Sequence, residues 1–185
     1  MTGAIFVNNY VLTQFLGMCP FFGVSRKTST AAGMGVAVTF VMTISSILTY
    51  VVDRFVLIPL DIVFIRTIVF ILIIASTVQF IEIFMKKLFP VLYSLLGVYL
   101  PLITTNCAIF GAVLINVRNN YNFIEAAVNG FCAGIGFTLA IIVLSGIREK
   151  YENNQNIPAL FKGLPLALFS AGFISLAFMG FNGLL

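Results

Sequence analysis

Six long apolar runs constrain the fold of this chain more than any other feature. They cover roughly residues 3–24, 31–52, 62–85, 91–115, 123–147 and 163–184. A helix needs about 20 apolar residues to cross the hydrocarbon core of a bilayer. Only 9% of the residues are charged, whereas soluble domains carry about 25%. The sequence therefore predicts one all-α integral membrane domain over residues 1–185, with six transmembrane helices and the lipid bilayer as its surroundings.

The basic residues predict how this domain is oriented. The connections between spans 1 and 2, 3 and 4, and 5 and 6 hold seven of them: Arg26, Lys27, Lys86, Lys87, Arg148, Lys150 and Lys162. The other side holds three: Arg54, Arg66 and Arg118. Because basic loops stay in the cytoplasm, both termini are predicted to lie outside. The connections are too short for a soluble catalytic domain, so no independent active site is expected.

The composition also excludes several functions. The chain has no histidine, which excludes imidazole metal ligands, a histidine proton relay and a Ser-His-Asp triad. The net charge of +4 comes from scattered loop residues, so no nucleic-acid partner is predicted. Three cysteines are an odd number and all lie in apolar runs, which is not the pattern of a disulfide framework.

An internal repeat is centred on two of the cysteines. CPFFG at 19–23 and CAIFG at 107–111 both read Cys-x-x-Phe-Gly, and TAAGMG at 30–35 aligns with EAAVNG at 125–130. Repeat one then covers about residues 1–88 and repeat two about 89–185, with three spans each. Because three is odd, the halves must cross the membrane in opposite directions. This inverted-topology repeat is a common plan for transport proteins.

The position of the cysteines predicts that two helices are interrupted. In a continuous first span, Cys19 would lie about 24 Å below the outer face, whereas Cys107 in the fourth span would lie near that face. Gly17, Pro20 and Pro101 weaken helices next to these cysteines. We therefore expect the first and fourth spans to be interrupted there, which would bring both thiols towards the midplane.

Two interpretations of the cysteines follow from their pattern. A buried free cysteine commonly serves as a small hydrophobe, and Cys132, in the small-residue run GFCAGIG, fits that role. Cys19 and Cys107 are related by the repeat and offer two thiolates to a soft metal centre. An iron–sulfur cluster usually has four cysteine ligands, so a homologous partner would have to supply two. Three polar residues precede Cys107 and are candidates either to satisfy backbone groups freed by the break or to donate to sulfur: Thr104, Thr105 and Asn106.

Several stretches resemble a known family of membrane subunits. They are FVNNYVLTQFLGMCPFFGVS, VLYSLLGVYLPLITTNCAIFG, YNFIEAAVNGF, GIREK and LAFMGFNGLL. Together they resemble membrane subunits of the Rnf complex and their relatives in Nqr, the sodium-translocating NADH:quinone reductase. The similarity covers essentially the whole chain. The proline after the first cysteine and the length of 185 residues favour the Rnf branch.

The resemblance implies a function and a set of partners. The Rnf complex is an ion-translocating ferredoxin:NAD+ oxidoreductase of the bacterial or archaeal cytoplasmic (inner) membrane, and it couples electron flow to pumping of Na+ or H+. The resemblance implies a multi-pass electron-transfer subunit that shares an intramembrane [2Fe–2S] cluster with the homologous E subunit. Cys19 and Cys107 would be its two ligands in this chain. The other partners would be subunits B, C, D and G.

Ionisable residues in the apolar runs are further candidates. Glu82 lies in the third span, four residues before Lys86, and Gln79 lies one turn deeper on the same face. These two residues belong either to the membrane interface or to an ion path. Asp61 and Arg66 are predicted to pair at the outer interface.

Two other functions fit parts of the pattern. A stand-alone secondary transporter with six helices would have the same inverted repeats and interrupted helices. A structural anchor for partner subunits would predict that Cys19→Ser leaves activity intact. The repeated cysteines favour the electron-transfer subunit.

Overall fold

The computed structural model describes residues 14–25, 27–59, 63–88, 100–152 and 163–180. In these ranges it has no β-strand and seven α-helices: α1 Met18–Val24, α2 Thr28–Val52, α3 Arg66–Leu88, α4 Leu100–Thr104, α5 Cys107–Arg118, α6 Phe123–Glu152 and α7 Leu164–Met179. A turn of π-helix, Asp53–Leu57, follows α2, and a turn of 3-10 helix, Val63–Ile65, precedes α3. The all-α prediction is confirmed for this part of the chain.

Three described helices are long and apolar enough to cross a membrane. They are Thr28–Leu57, Arg66–Phe84 and Phe123–Tyr151, which match predicted spans 2, 3 and 5. Two shorter apolar helices, Leu102–Arg118 and Leu164–Met179, lie within predicted spans 4 and 6. Large apolar side chains are exposed on the surface, as contact with lipid tails requires, for example Ile124 and Phe173. Much of span 1, residues 3–13, lies outside the described residues, so the six-span plan stays a prediction.

The long helices α2 and α6 form the centre of the core. They run antiparallel, and their closest approach is lined by small residues. A Cβ built on Gly35 would lie 2.5 Å from Thr138 Cγ2, and one on Gly134 would lie 2.6 Å from Thr39 Cα. The hydroxyls of Thr39 and Thr138 are 3.1 Å apart, within hydrogen-bond distance. Small residues let helices in membranes pack this closely.

Helix α6 ends later than the sequence analysis predicted. Its predicted span stops at residue 147, whereas the helix continues to Glu152. The extra turn carries polar side chains that contact α1 and the first residue of α2. Thr28 donates to the Glu149 carboxylate, and Arg148 donates to the carbonyl oxygen of Phe22. Because these contacts satisfy its polar groups, the helix continues past the end of the apolar run.

An ion pair joins the end of α2 to α3, and the predicted pair of Arg66 with Asp61 stays a prediction. Arg66 Nε lies 2.8 Å from the Asp53 carboxylate, so the pair joins the π-helical turn after α2 to the first residue of α3. Asp61, the partner predicted from sequence, lies outside the described residues. The π-turn continues the helix to Leu57, and this extension places Asp53 beside Arg66.

Candidate functional site

The first cysteine motif lies in a short helix that begins just after a left-handed glycine. Gly17 has φ +86° and ψ 23°, a left-handed conformation that favours glycine. Helix α1 begins at the next residue, and Cys19 is its second residue and is exposed. Pro20 lies in the first turn of α1, where its missing N–H breaks no helical hydrogen bond. Gly17 therefore sets the boundary of the helix, and Pro20 is accommodated within it.

The second cysteine motif lies where one helix ends and another begins. Helix α4 ends at Thr104, and α5 begins at Cys107. Asn106 is extended and caps α5, because its Oδ1 accepts a hydrogen bond from the Ala108 amide at 3.0 Å. Pro101, which was predicted to weaken the helix before Cys107, lies in the first turn of α4, where proline is tolerated.

The residue just before the first cysteine-bearing helix contacts the second motif. The backbone amide of Gly17 donates to Cys107 Sγ at 2.9 Å, although the residues are 90 positions apart. The packing around this bond is tight, since a Cβ on Gly17 would lie 2.9 Å from Ala108 Cβ and 3.0 Å from Asn106 Oδ1. The fold therefore joins the two cysteine-bearing breaks through a hydrogen bond to sulfur.

A cavity of about 230 Å³ lies beside Cys107. Its lining consists of Ile71, Ile74, Thr104, Thr105, Asn106, Cys107 and Phe110. The three polar residues predicted to surround Cys107 all line it. The Asn106 side chain is 2% exposed, and its Nδ2 has no hydrogen-bond partner among the described residues. A buried amide without a partner is costly, so this donor points to a missing acceptor.

These features match part of what a thiolate cluster site needs: Cys107 lines the cavity, whereas Cys19 does not. Cys107 and the exposed Cys19 offer two sulfur ligands, and the Gly17 amide already donates to one of these sulfurs. Among the described residues, no three His, Cys, Asp or Glu side chains are grouped as a metal site. A centre with four thiolate ligands would therefore take the other two from another chain.

The remaining candidates lie elsewhere on the helices. Glu82 is half-buried and Gln79 is exposed, both on α3, and neither lines the cavity beside Cys107. Cys132 is 5% exposed in α6, as a packing role requires. The structure does not bring these three residues into the cysteine site.

Sequence reasoning missed one buried cation and one buried amide pair. Arg148 was counted as a connection charge, yet it is 3% exposed. Asn129 Nδ2 donates to Asn116 Oδ1 at 2.6 Å, and both side chains are buried. The asparagines were detectable as polar residues within or at the end of apolar runs. Arg148 gave no such signal, because it follows the apolar run.

Comparison with known proteins identifies the family. A family model described as "Rnf-Nqr subunit, membrane protein" matches residues 1–185. The chain belongs to the Rnf-Nqr family of membrane subunits. The resemblance seen in the cysteine motifs is thereby confirmed.

Relatives within the Rnf-Nqr family match almost end to end. The chain is 56% identical over 184 residues to the A subunit of the Na+-translocating ferredoxin:NAD+ oxidoreductase complex of Acetobacterium woodii, covering 100% of this chain and 95% of the relative. It is 52% identical over 182 residues to the A subunit of an ion-translocating oxidoreductase complex of Escherichia fergusonii, covering 98% and 94%. The corresponding protein of Proteus mirabilis is 53% identical over 182 residues, with the same coverage.

Proposed function

We propose that this chain is the membrane-embedded A subunit of an ion-translocating ferredoxin:NAD+ oxidoreductase complex of the Rnf type. Its end-to-end similarity to relatives of that name supports the assignment. The observation that carries the electron-transfer role is the hydrogen bond from Gly17 to Cys107 Sγ. This contact joins the residue before the helix that carries Cys19 to the Cys107 sulfur, which a purely packing role for the cysteines does not require.

Cys19 and Cys107 are the proposed ligands of a [2Fe–2S] cluster, and the homologous E subunit would supply the other two cysteines. When bound, such a cluster would carry one electron at a time within the membrane. Hydrogen bonds to sulfur and burial set the reduction potential of iron–sulfur centres. The Gly17 amide stabilises negative charge on the Cys107 sulfur, and the Asn106 Nδ2 donor is available for a further acceptor beside it.

The proposed architecture follows from the repeat. We infer six spans in two inverted three-helix repeats, with both termini outside and the first and fourth spans interrupted at the cysteine motifs. The antiparallel contact of α2 with α6 supports this arrangement. Glycines from both aligned segments lie at this contact: Gly35 meets Thr138, and a Cβ on Gly130 would lie 2.6 Å from Ser46 Oγ.

Ion coupling is assigned to the complex as a whole. We propose that it moves Na+ or H+ across a bacterial or archaeal cytoplasmic membrane, with subunits B, C, D and G as further partners. Within this chain Glu82 and Gln79 of α3 are the candidates for an ion path. Glu82 is half-buried in a helix long enough to span the membrane, and intramembrane carboxylates commonly mark such paths.

Iron analysis of the purified pair of A and E subunits tests this function. The proposal predicts about two irons per pair, and retention of that iron in Cys132→Ser, because Cys132 is buried within α6. If the pair could not be loaded with iron and yet catalysed ion-coupled solute uptake alone, the chain would be a secondary transporter.

A further inference from the structure

Helix α1, which carries Cys19, is held at both of its ends. At its start, the Gly17 amide donates to Cys107 Sγ at 2.9 Å. At its other end, Arg148 Nη1 donates to the carbonyl of Phe22, in the last turn of α1, at 2.8 Å and to Oγ of Ser25, just after the helix, at 3.0 Å. A helix of only seven residues is not stable by itself. The position of α1 therefore depends on what holds it.

The guanidinium group of Arg148 is suited to this task. Arg148 is 3% exposed and Ser25 is fully buried, so their hydrogen bond is shielded from competing solvent. A cation near the end of a helix interacts favourably with the last carbonyls, which have no partner within the helix. Both bonds come from one terminal nitrogen, Nη1, and the planar guanidinium that carries it holds its N–H groups in a fixed orientation, unlike the freely rotating ammonium of lysine.

Arg148 also links α1 to the closely packed pair of helices α2 and α6. It lies on α6, whose close contact with α2 is lined by Gly134 and Thr39. The side chain therefore transmits the position of this helix pair to the short helix. The contact from Arg148 to Phe22 spans 126 residues of sequence, from repeat two back to repeat one.

We propose that Arg148 is a positioning residue for the cysteine site. By fixing the C-terminal end of α1 against α6, it sets where α1 presents Cys19 relative to Cys107. This inference rests on the proposed function in one respect: the site that it positions is the proposed cluster site. The placement of the Cys19 thiol is itself a property of the protein that needs no iron.

Thiol labelling of the purified complex tests this role directly. The rate at which a maleimide labels Cys19 is measured in the iron-depleted complex for wild type, Arg148→Lys and Arg148→Gln. We expect several-fold faster labelling in both variants, because α1 loses its C-terminal attachment. Cys132, buried in α6, should stay protected, and it reports global unfolding. The matched control is Lys150→Gln, two residues further on the same helix and exposed, which should label like wild type.

The loaded complex provides a second readout. We expect Arg148→Lys to retain iron but to change the line shape of the reduced [2Fe–2S] EPR signal, since the geometry around one ligand changes.

Unchanged Cys19 labelling with Cys132 protected would overturn the proposal. If Cys132 also became reactive in both Arg148 variants, labelling of Cys19 in Ser25→Ala decides between positioning and unfolding. This variant removes one hydrogen-bond acceptor of Arg148 and leaves the charge of the guanidinium in place. Faster Cys19 labelling in Ser25→Ala supports the role, and an unchanged rate rejects it.

The two proposals fail in different ways. A wild-type complex that binds no iron would count against the cluster alone, because the labelling of Cys19 does not depend on iron. A normal cluster with unaltered labelling and EPR in the Arg148 variants would count against Arg148 alone.

Discussion

The amide of Gly17 lies 2.9 Å from the sulfur of Cys107 and donates a hydrogen bond to it. This contact connects the residue that precedes the first cysteine-bearing helix to the first residue of the second Cys-x-x-Phe-Gly motif. Gly17 has φ +86°, a left-handed backbone that glycine adopts without strain and that other residues rarely adopt.

Gly17→Ala should displace Cys107. The added Cβ would meet Ala108 Cβ at 2.9 Å, and the left-handed backbone would cost about 1–2 kcal/mol for a residue other than glycine. We expect a lower melting temperature and faster maleimide labelling of Cys107. Gly163→Ala is the matched control, because Gly163 also has positive φ but has open space around it. It should lower stability without changing the labelling of Cys107. Equal labelling in both variants would contradict this prediction.

Two substitutions of Asn106 should distinguish its role as a helix cap from a role in setting the reduction potential of the proposed cluster. Asn106→Ala removes the cap of α5, which costs about 1 kcal/mol, whereas Asn106→Ser keeps a capping oxygen and most of that stability. Both variants lose the buried Nδ2 donor, so both should lower the reduction potential of a cluster beside Cys107, because the reduced state carries more negative charge. Redox titration followed by EPR measures this shift. Asn119→Ala, at the exposed end of α5, should leave the potential unchanged.

Because α2 and α6 pack closely, substituting two glycines of α6 by alanine should change the stability of the protein by very different amounts. Gly134→Ala would place a Cβ 2.6 Å from the backbone Cα of Thr39, which cannot move without moving α2. It should destabilise the protein by about 1–3 kcal/mol. Gly146→Ala has no atom within 4 Å and should be neutral or stabilising by about 0.5–1 kcal/mol. Thermal unfolding of the two variants in detergent compares them, and equal melting temperatures would show that the helices pack less closely.

Glu82→Gln tests the proposed ion path. The substitution removes the charge of the carboxylate but keeps its size. We expect a loss of ion transport by reconstituted complex in liposomes, while iron content and the EPR signal stay normal, since Glu82 does not line the cavity beside Cys107. Gln79→Ala should have a smaller effect, because Gln79 is uncharged and exposed. Wild-type transport in Glu82→Gln would place Glu82 at the membrane interface only.

The sequence predicted the membrane class and the family because those signals are local. Apolar length gave spans 2, 3 and 5, and the two cysteine motifs carried the resemblance that the family comparison confirms. Gly17 was also predicted as a helix break, since glycine weakens helices wherever it occurs.

The details of the site depend on long-range contacts and were not predictable in this way. Proline was expected to weaken the helix before Cys107, but that helix ends at Thr104 and Asn106 caps the helix that follows. The hydrogen bond from Gly17 to Cys107 and the burial of Arg148 join residues 90 or more positions apart. A pattern within one segment carries no information about such a contact.

The most direct test of the electron-transfer role is the reduced-state EPR spectrum of the purified pair of A and E subunits. It would be recorded for wild type, Cys19→Ser, Cys107→Ser and the buried-cysteine control Cys132→Ser. We expect a [2Fe–2S] signal in wild type and in Cys132→Ser, and its loss in each of the other two variants. Retention of the signal and of ferredoxin:NAD+ activity in Cys19→Ser and Cys107→Ser would contradict the electron-transfer role, and both cysteines would then be packing residues.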